Sequence, residues 1–357
     1  MDELVPVQKS FGVNVSIIIP VHNGGENFRR CLSSLSEYVP KSTEVIVVVD
    51  GGTDRSQQLA EEFGAKVIIF PNAGGPARAR NFGAFTAQNE ILLFIDADVM
   101  VCADTLSQIE KIFYNQQNLA ALIGSYDDEP GATNFLSQYK NLFHHYTHQT
   151  ASEEASTFWG ACGAIRRQVF LEIGGFDEAY RYPSVEDIEF GYRLKKAGYQ
   201  IRLCRTVQVK HLKHWQVISL LRAEFFYRAL PWTKLIWRDR QLISSDLNLR
   251  LSSRLSLMLT YGLIATVIGA WWSISTLFLA GGLSLALIII NLPVYQFFLQ
   301  KRGLWFSIRV IPWHWFYFFY GGLAFAIGTI QYYLSNKQEL RNTSLKLTHL
   351  IKTSKHK

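Results

Sequence analysis

From residue 14 to residue 95 the chain alternates short apolar runs with stretches of helical period. The runs are Val15–Val21, 44–49, Lys66–Phe70 and Ile91–Ile95. VSIIIPV, EVIVVV, KVIIF and ILLFI are near-continuously apolar, the pattern of parallel strands covered on both faces. Between them, 27–35, 54–63 and 77–87 predict helices, with Pro76 in a first turn and Thr53 or Asp54 as an N-cap. Strand–helix–strand repetition predicts right-handed crossovers and a doubly wound, mostly parallel α/β sheet. Ligands of such sheets bind beyond the carboxyl ends of the strands. The residues just after each run are therefore the first to inspect.

From about 104 to 204 the pattern loosens into helices and short strands, with a GGF turn at 174–176 and a helix near 186–197. Residues 205–254 then carry ten Lys/Arg against three acids, interleaved with Trp215, Phe225, Phe226, Trp232 and Trp237. A basic amphipathic segment of this kind lies in a membrane headgroup interface or docks as a helix with a solvated basic face. The 46 residues 255–300 hold no Asp, Glu, Lys or Arg, and neither do the 27 residues 310–336. As one helix the first stretch would be about 69 Å long, twice a ~30 Å hydrocarbon core. A purely soluble protein is excluded. The expected spans are 255–273 and 276–298, turning near 272–275, and a third within 311–334.

Charge sharpens this picture at both termini. MDELVPVQKS opens with acids and lacks an apolar h-region, which predicts a cytosolic N-terminal part rather than a secreted one. The tail 335–357 carries six Lys/Arg and one Glu, so the positive-inside rule also wants it in the cytosol. Three full spans would put it outside. A break of the last span at Pro312 or at Gly321 and Gly322 would resolve the conflict. The overall balance is +7. Cys31, Cys102, Cys162 and Cys204 are far apart and form no CxxC pair, as ordinary apolar side chains in a reducing compartment would be.

Three polar clusters follow the strands: Pro20-Val21-His22-Asn23, Asp50-Gly51-Gly52-Thr53-Asp54 and Asp96-Ala97-Asp98. Asp54 reads equally as a helix cap. Asp96 and Asp98 stand two residues apart after a buried strand, and in extended chain both would face one ligand. Two such carboxylates invite a cation between them, Mg²⁺ or Mn²⁺ bridging to substrate phosphates. The helix starting at Pro76 brings Arg78 or Arg80 toward a phosphate, with a plain surface charge as the alternative for Arg78. Glu186 and Asp187 form a second acidic pair, either capping a helix or supplying a general base. His144, His145 and His148 read as a polar helix face rather than a metal site, since no carboxylate or Cys is spaced with them.

Taken in order, SIIIPVHN at 16–23, VVDGGTD at 48–54, NAGGPARARNFG at 72–83, FIDAD at 94–98, GACGAIRR at 160–167, GGFDE at 174–178 and VEDIEFGYRLKKAGY at 185–199 resemble the family 2 glycosyltransferases of GT-A fold. The resemblance covers about 14–215. It implies that Pro20, His22 and Asn23 border the base and ribose of a nucleotide sugar and that Asp50 bonds a uracil-type base edge. Val49 stands where the family often has a further acid. It implies Arg80 and Asn81 near the donor, Asp96 on ribose or sugar hydroxyls, and Asp98 on the metal. The family's ED pair matches Glu186 and Asp187, with Asp187 the expected base of an inverting displacement. His211, more than His214, matches a histidine that reaches the metal or diphosphate; a structural role is the alternative. The Gln-x-x-Arg-Trp motif of processive synthases is missing, since Lys213-His214-Trp215-Gln216 and Arg228-Ala229-Leu230-Pro231-Trp232 do not match it.

The expected organisation is a lead (1–13), a GT-A domain (14–212), basic interfacial helices (213–254), two or three transmembrane helices (255–334) and a basic tail (335–357). The expected activity is metal-dependent, inverting transfer of a single sugar from a nucleotide sugar, a UDP-sugar, to a lipid-linked or membrane-proximal saccharide acceptor such as one on polyprenyl phosphate. The expected location is the plasma (inner) membrane with the catalytic domain cytoplasmic, in contact with membrane lipids and without nucleic acid. A processive polysaccharide synthase and a non-catalytic nucleotide-sugar-binding membrane protein are the rival readings.

Overall fold

The computed structural model describes residues 12–239 and 250–354, with 336–354 by backbone only. Most of the lead, residues 240–249 of the basic segment and the side chains of the tail lie outside the described residues.

The four apolar runs form β1 (Val15–Val21), β2 (Glu44–Asp50), β3 (Lys66–Phe70) and β4 (Ile91–Ile95), all mutually parallel. Helices α1 (Gly25–Tyr38), α2 (Ser56–Phe63) and α3 (Pro76–Thr86) connect them. The chain then adds β5 (Val99–Val101), α4 (Thr105–Asn115), β6 (Ala121–Tyr126), α5 (Phe135–Thr150) and β7 (Glu154–Ala155). Next come β8 (Cys162–Arg166), α6 (Arg167–Ile173), α7 (Glu186–Lys196) and β9 (Ile201–His211). The strand order is β3-β2-β1-β4-β8-β6-β9-β5, with β7 beside β9. β8 pairs antiparallel with both β4 and β6, so the sheet is mixed beyond its parallel half.

Alternation inside the strands divides the core into two layers. Ile17, Ile19, Val47, Leu93 and Ile95 pack with Phe28, Leu32, Ile109 and Phe113 of α1 and α4. Ile18, Ile46, Leu92 and Phe94 face the other way, against Ala77, Ala84, Phe170, Phe190 and Leu194 of α3, α6 and α7. Both faces of the central strands are therefore covered, as their unbroken apolarity requires. β3 departs from that expectation: it is the sheet edge, and Ile69 is 49% exposed. The four cysteines are free.

After β9 the chain runs through α8 (Val217–Arg222), a π-helical segment (Ala223–Ala229) and α9 (Leu230–Arg238). Then follow α10 (Leu251–Gly269), α11 (Thr276–Ile290), α12 (Leu292–Arg302) and α13 (Leu304–Ser354). Among the described residues, Leu251–Gly269 and Leu304–Ser335 are long and apolar enough to cross a membrane; α11 with α12 would be a third span if counted as one. The break falls elsewhere than expected. α13 continues through Pro312, Gly321 and Gly322, whereas α11 and α12 meet at a 63° bend. Asn291 explains the bend: its Nδ2 donates to Leu287 O (2.9 Å) and to Ser256 Oγ on α10 (2.8 Å). Pro293, in the first turn of α12, has no N–H to continue the preceding helix.

The bend returns α12 to the α/β domain. Tyr295 and Phe298 pack with Tyr139 and Leu142 of α5, and Lys301 pairs with Asp128 (2.5 Å). α13 lies along the same domain: Arg309 stacks on Phe135, His314 Nδ1 meets the Tyr139 hydroxyl (2.9 Å), and Trp237 Nε1 donates to Thr329 Oγ1 (2.8 Å). The α10–α11 turn points away, with Trp271 90% exposed.

α7 approaches the loop between β7 and β8 so closely that a Cβ on Gly191 would lie 2.3 Å from Phe158 N and 2.5 Å from Thr157 backbone atoms. Backbone cannot yield as a side-chain tip can. Gly191→Ala is therefore expected to cost about 1–3 kcal/mol, read as a lowered denaturant midpoint; an unchanged midpoint contradicts this packing.

Candidate active site

β1 and β2 end side by side at the sheet's carboxyl edge. His22 Nδ1 donates to Asp50 O (2.7 Å), and Asn23, in the left-handed region at φ 51°, accepts from Thr53 N through Oδ1 (2.7 Å). Asn tolerates that conformation better than most residues. Both His22 and Asn23 are exposed there, whereas Pro20 is buried inside β1 and offers a ligand no surface. The N-cap of α2 is Arg55, one residue after the expected Asp54, whose carboxylate accepts from Ser56 N (3.0 Å) and Gly25 N (2.9 Å) and ties α2 to α1.

Asp50 is buried, and its carboxylate accepts from Gly74 N (2.8 Å) and Gly75 N (2.7 Å). Its observed work is to hold the loop entering α3. Gly75 has φ 98°, and a Cβ there would lie 2.5 Å from Arg181 O, so the loop touches the segment before α7. Arg78 lies over the Phe70 ring (4.2 Å), half-exposed.

The Asp96-Ala97-Asp98 segment is a tight turn closed by Val99 N donating to Asp96 O (3.1 Å), not extended chain. The two carboxylates therefore part. Asp96 accepts from Arg80 Nη2 (2.7 Å), while Asp98 Oδ2 lies 3.6 Å from His211 Nε2 and 4.0 Å from Lys213 Nζ.

Arg80 and Asn81 differ most from expectation. Arg80 is 5% exposed; besides Asp96 it donates through Nη1 to Glu186 Oε1 (2.9 Å). It is a buried bridge between the turn after β4 and the start of α7, with no face toward a donor. Burial disfavours the guanidinium charge, and Asp96 and Glu186 outweigh that, holding its pKa above the ordinary value. Asn81 is also buried: Nδ2 donates to Phe176 O (2.9 Å) and Glu178 Oε1 (3.0 Å), and Oδ1 accepts from Phe176 N (2.8 Å). It pins the GGFDE loop.

Glu186 and Asp187 separate in the same way. Glu186 is buried, one oxygen on Arg80 and the other accepting from Ser184 N (2.8 Å), so it is a structural anion rather than a catalyst. Asp187 is half-buried and accepts from Gly160 N (3.1 Å) and Ile188 N (2.8 Å). Its carboxyl is pushed up to about 7, by burial first and then by ionised Glu186, against the pull of Arg80. A carboxyl poised there can take a proton from a hydroxyl at neutral pH. Gly160 also leaves room for the Arg80 guanidinium, since a Cβ there would meet Arg80 Cζ at 2.8 Å. Glu189, one step along α7, pairs with Arg193 (2.9 Å) and Arg238 (3.1 Å) and is structural.

His211 ends β9 almost fully buried, stacked on Tyr126 at 4.4 Å between ring centroids, its Nδ1 donating to Asn141 Oδ1 (2.7 Å). That bond fixes the ring and turns Nε2 to Asp98. Burial would raise the Asp98 carboxyl; the imidazole and then Lys213 outweigh it and hold it at about 2. The described residues hold no group of three or more His, Cys, Asp and Glu suited to a metal. A two-ligand O/N pair oriented through an outer hydrogen bond still fits an ion that keeps waters and binds substrate phosphates. His214 is exposed.

His145 and His148 are not a polar face. They are buried, donating through Nδ1 to Tyr126 O (2.7 Å) and Gly124 O (2.9 Å), and they stitch α5 to β6. Asn141 and Tyr126, which orient His211, were not singled out in the sequence. Their pattern is that of ordinary helix and strand positions, and nothing local marks them.

Residues 16–174 match the family model described as glycosyl transferase family 2, and residues 140–215 match one described as N-terminal domain of galactosyltransferase. A probable glycosyltransferase, YdaM, of Bacillus subtilis is 27% identical over 205 residues, 53% of this chain and 48% of that protein. The pre-mycofactocin glycosyltransferase of Mycobacterium tuberculosis is 26% identical over 225 residues, 60% of this chain and 46% of that protein. The matched region thus spans about half the length of these relatives. In fold the chain resembles the mannosyltransferase PcManGT from Pyrobaculum calidifontis, solved with GDP-Man and Mn²⁺, at a TM-score of 0.57 and 15% identity, covering 90% of each chain. With its GT-A-like sheet and its ordered motifs, the chain carries a family 2 glycosyltransferase region over residues 16–174.

Proposed function

We propose that this chain is a membrane-bound, metal-dependent, inverting glycosyltransferase that moves a single sugar from a nucleotide sugar, a UDP-sugar in our reading, to a lipid-linked or membrane-proximal saccharide. The observation that carries the reading is a shared cavity: Asp187, poised near neutrality, and His211, beside Asp98, line the same space. The edge formed by His22, Asn23 and Asp50 is assigned to the nucleoside, and the free side of Asp96 to ribose or sugar hydroxyls. Asp187 takes the acceptor hydroxyl's proton as that oxygen attacks the anomeric carbon from the face opposite the diphosphate, which inverts configuration. Asp98 and His211 would hold the Mg²⁺ or Mn²⁺. That ion, when bound, supplies charge neutralisation for the leaving diphosphate. The mannosyltransferase of like fold was solved with a nucleotide sugar and Mn²⁺, which is consistent with this donor class.

For the membrane we infer that the α10–α11 hairpin inserts while α13 lies in the interface plane. α13 is 32 residues long over Leu304–Ser335, enough to span, yet it contacts α5 near its start and Trp237 of α9 near residue 329. α9 is itself tied to the catalytic domain through Arg238 and Glu189. A helix held to one domain along its length does not leave that domain's side. The hairpin starts and ends on that side, and the basic tail then satisfies the positive-inside rule without a third crossing. We assign the catalytic side to the cytoplasmic face of the plasma membrane.

Asp187→Asn is expected to lower kcat at least about 100-fold while retaining nucleotide binding. Wild-type kcat/KM should rise with pH through about 7 and then level, because the base must be ionised. The same shift predicts a stability effect. Between the ordinary carboxylate range and 7 the folded state keeps a proton that the unfolded state releases, so this group makes stability fall as pH rises. Asp187→Asn removes that fall, and chemical denaturation at pH 5 and 8 measures it; identical pH slopes contradict the assignment. Asp98→Ala is expected to abolish transfer and the Mn²⁺-dependent part of thermal stabilisation by UDP-sugars, and undiminished stabilisation would remove Asp98 from the ion. In sealed vesicles with the catalytic domain outward, protease should degrade a C-terminal tag together with that domain. Protection of the tag alone would contradict the two-crossing arrangement.

A further inference from the structure

A cavity of about 230 Å³ opens beside Asp187 and His211. It is also lined by Lys140 of α5, by Glu224 and Arg228 of the π-helical segment, and by Tyr317 and Tyr320 of α13. Lys140 Nζ (2.9 Å) and Arg228 Nη1 (2.6 Å) both reach Glu224 Oε1. The trio of Lys140, Arg228 and Glu224 carries one net positive charge, and Asp187 is the other carboxylate lining the cavity. Glu224 is buried and Lys140 nearly so, while the Arg228 side chain remains 45% exposed and so open to a further partner. His144, another lining residue, has a buried Nδ1 with no hydrogen-bond partner. The π-helical segment, Ala223–Ala229, puts Glu224 and Arg228 on the cavity, and such irregular turns recur at functional sites.

We propose that this cavity binds the acceptor and that Arg228, with Lys140, holds a phosphate carried by it. The assignment rests on the transferase reading above. Lys140 and Arg228 converge on one oxygen of Glu224, so that carboxylate is committed to them rather than to a sugar hydroxyl. The half-exposed Arg228 guanidinium fork matches a phosphate. Tyr317 and Tyr320 make α13 a wall of the same space, which joins it to the apolar helices. The phosphate therefore belongs either to a lipid-linked carrier or to a soluble sugar phosphate.

The test uses the full-length protein in nanodiscs. Arg228→Gln and Lys140→Gln should each raise the acceptor KM about tenfold or more, with the donor KM unchanged and Arg228→Lys restoring part of the loss. Stabilisation by nucleotide with Mn²⁺ checks that each variant is folded. An unchanged acceptor KM, or an equal rise for an uncharged alkyl glycoside acceptor, overturns the proposal. Binding of farnesyl phosphate and of a water-soluble sugar phosphate, read by tryptophan fluorescence, tests the subsite without any transfer. Weakening of either in Arg228→Gln supports it, and the probe bound more tightly identifies the source. Wild-type affinity for both in that variant overturns it even if no sugar transfer is ever detected.

Discussion

The site depends on one buried cation. Arg80, on α3, bridges Asp96 after β4 and Glu186 at the start of α7, 106 residues further along the chain. Removing either anion would leave the buried guanidinium with less compensating charge, which costs far more than an exposed pair returns. The bridge therefore holds the turn after β4 and α7 in one relative position. It also tunes what lies next to it. Asp187 feels burial and Glu186 pushing its carboxyl up and Arg80 drawing it down, and the balance near 7 is what a base for a sugar hydroxyl requires.

A second layer of constraint joins this chemistry to the apolar helices. Aromatic side chains of α5, α12 and α13 interlock, with Tyr139 between Phe298 and His314. One helix, α5, presents Tyr139 to that layer and Asn141 to His211. His211 and the aromatic layer beneath the apolar helices are thus joined through the same few elements. A cavity bounded by Asp187, His211 and α13 follows from that arrangement.

The parallel half of the sheet was legible because a buried strand must be apolar on both faces, and the four runs end within a residue of the observed strands. β5 and β7, three and two residues long, are too short for any periodic signal. The motif order located the acids but not their partners. Asp96 and Asp98 read as a pair facing one ligand, and the turn between them sends one to Arg80 and the other to His211. Arg80 and Asn81 read as donor contacts because charge and amide look alike whether buried or exposed. Only the packing of α3 against the loop before α7 reveals that they are internal. The apolar tract shows the same limit: composition measures how much chain could cross a bilayer, whereas the bend at Asn291 and the lie of α13 are set by contacts distant in sequence.

The most direct test of the account is a crystal structure with a nucleotide sugar and Mn²⁺. The account predicts the ion about 2.0–2.3 Å from an Asp98 carboxylate oxygen and from His211 Nε2, with the anomeric carbon between the diphosphate and Asp187. An ion held elsewhere, or a sugar whose open face points away from Asp187, would contradict it.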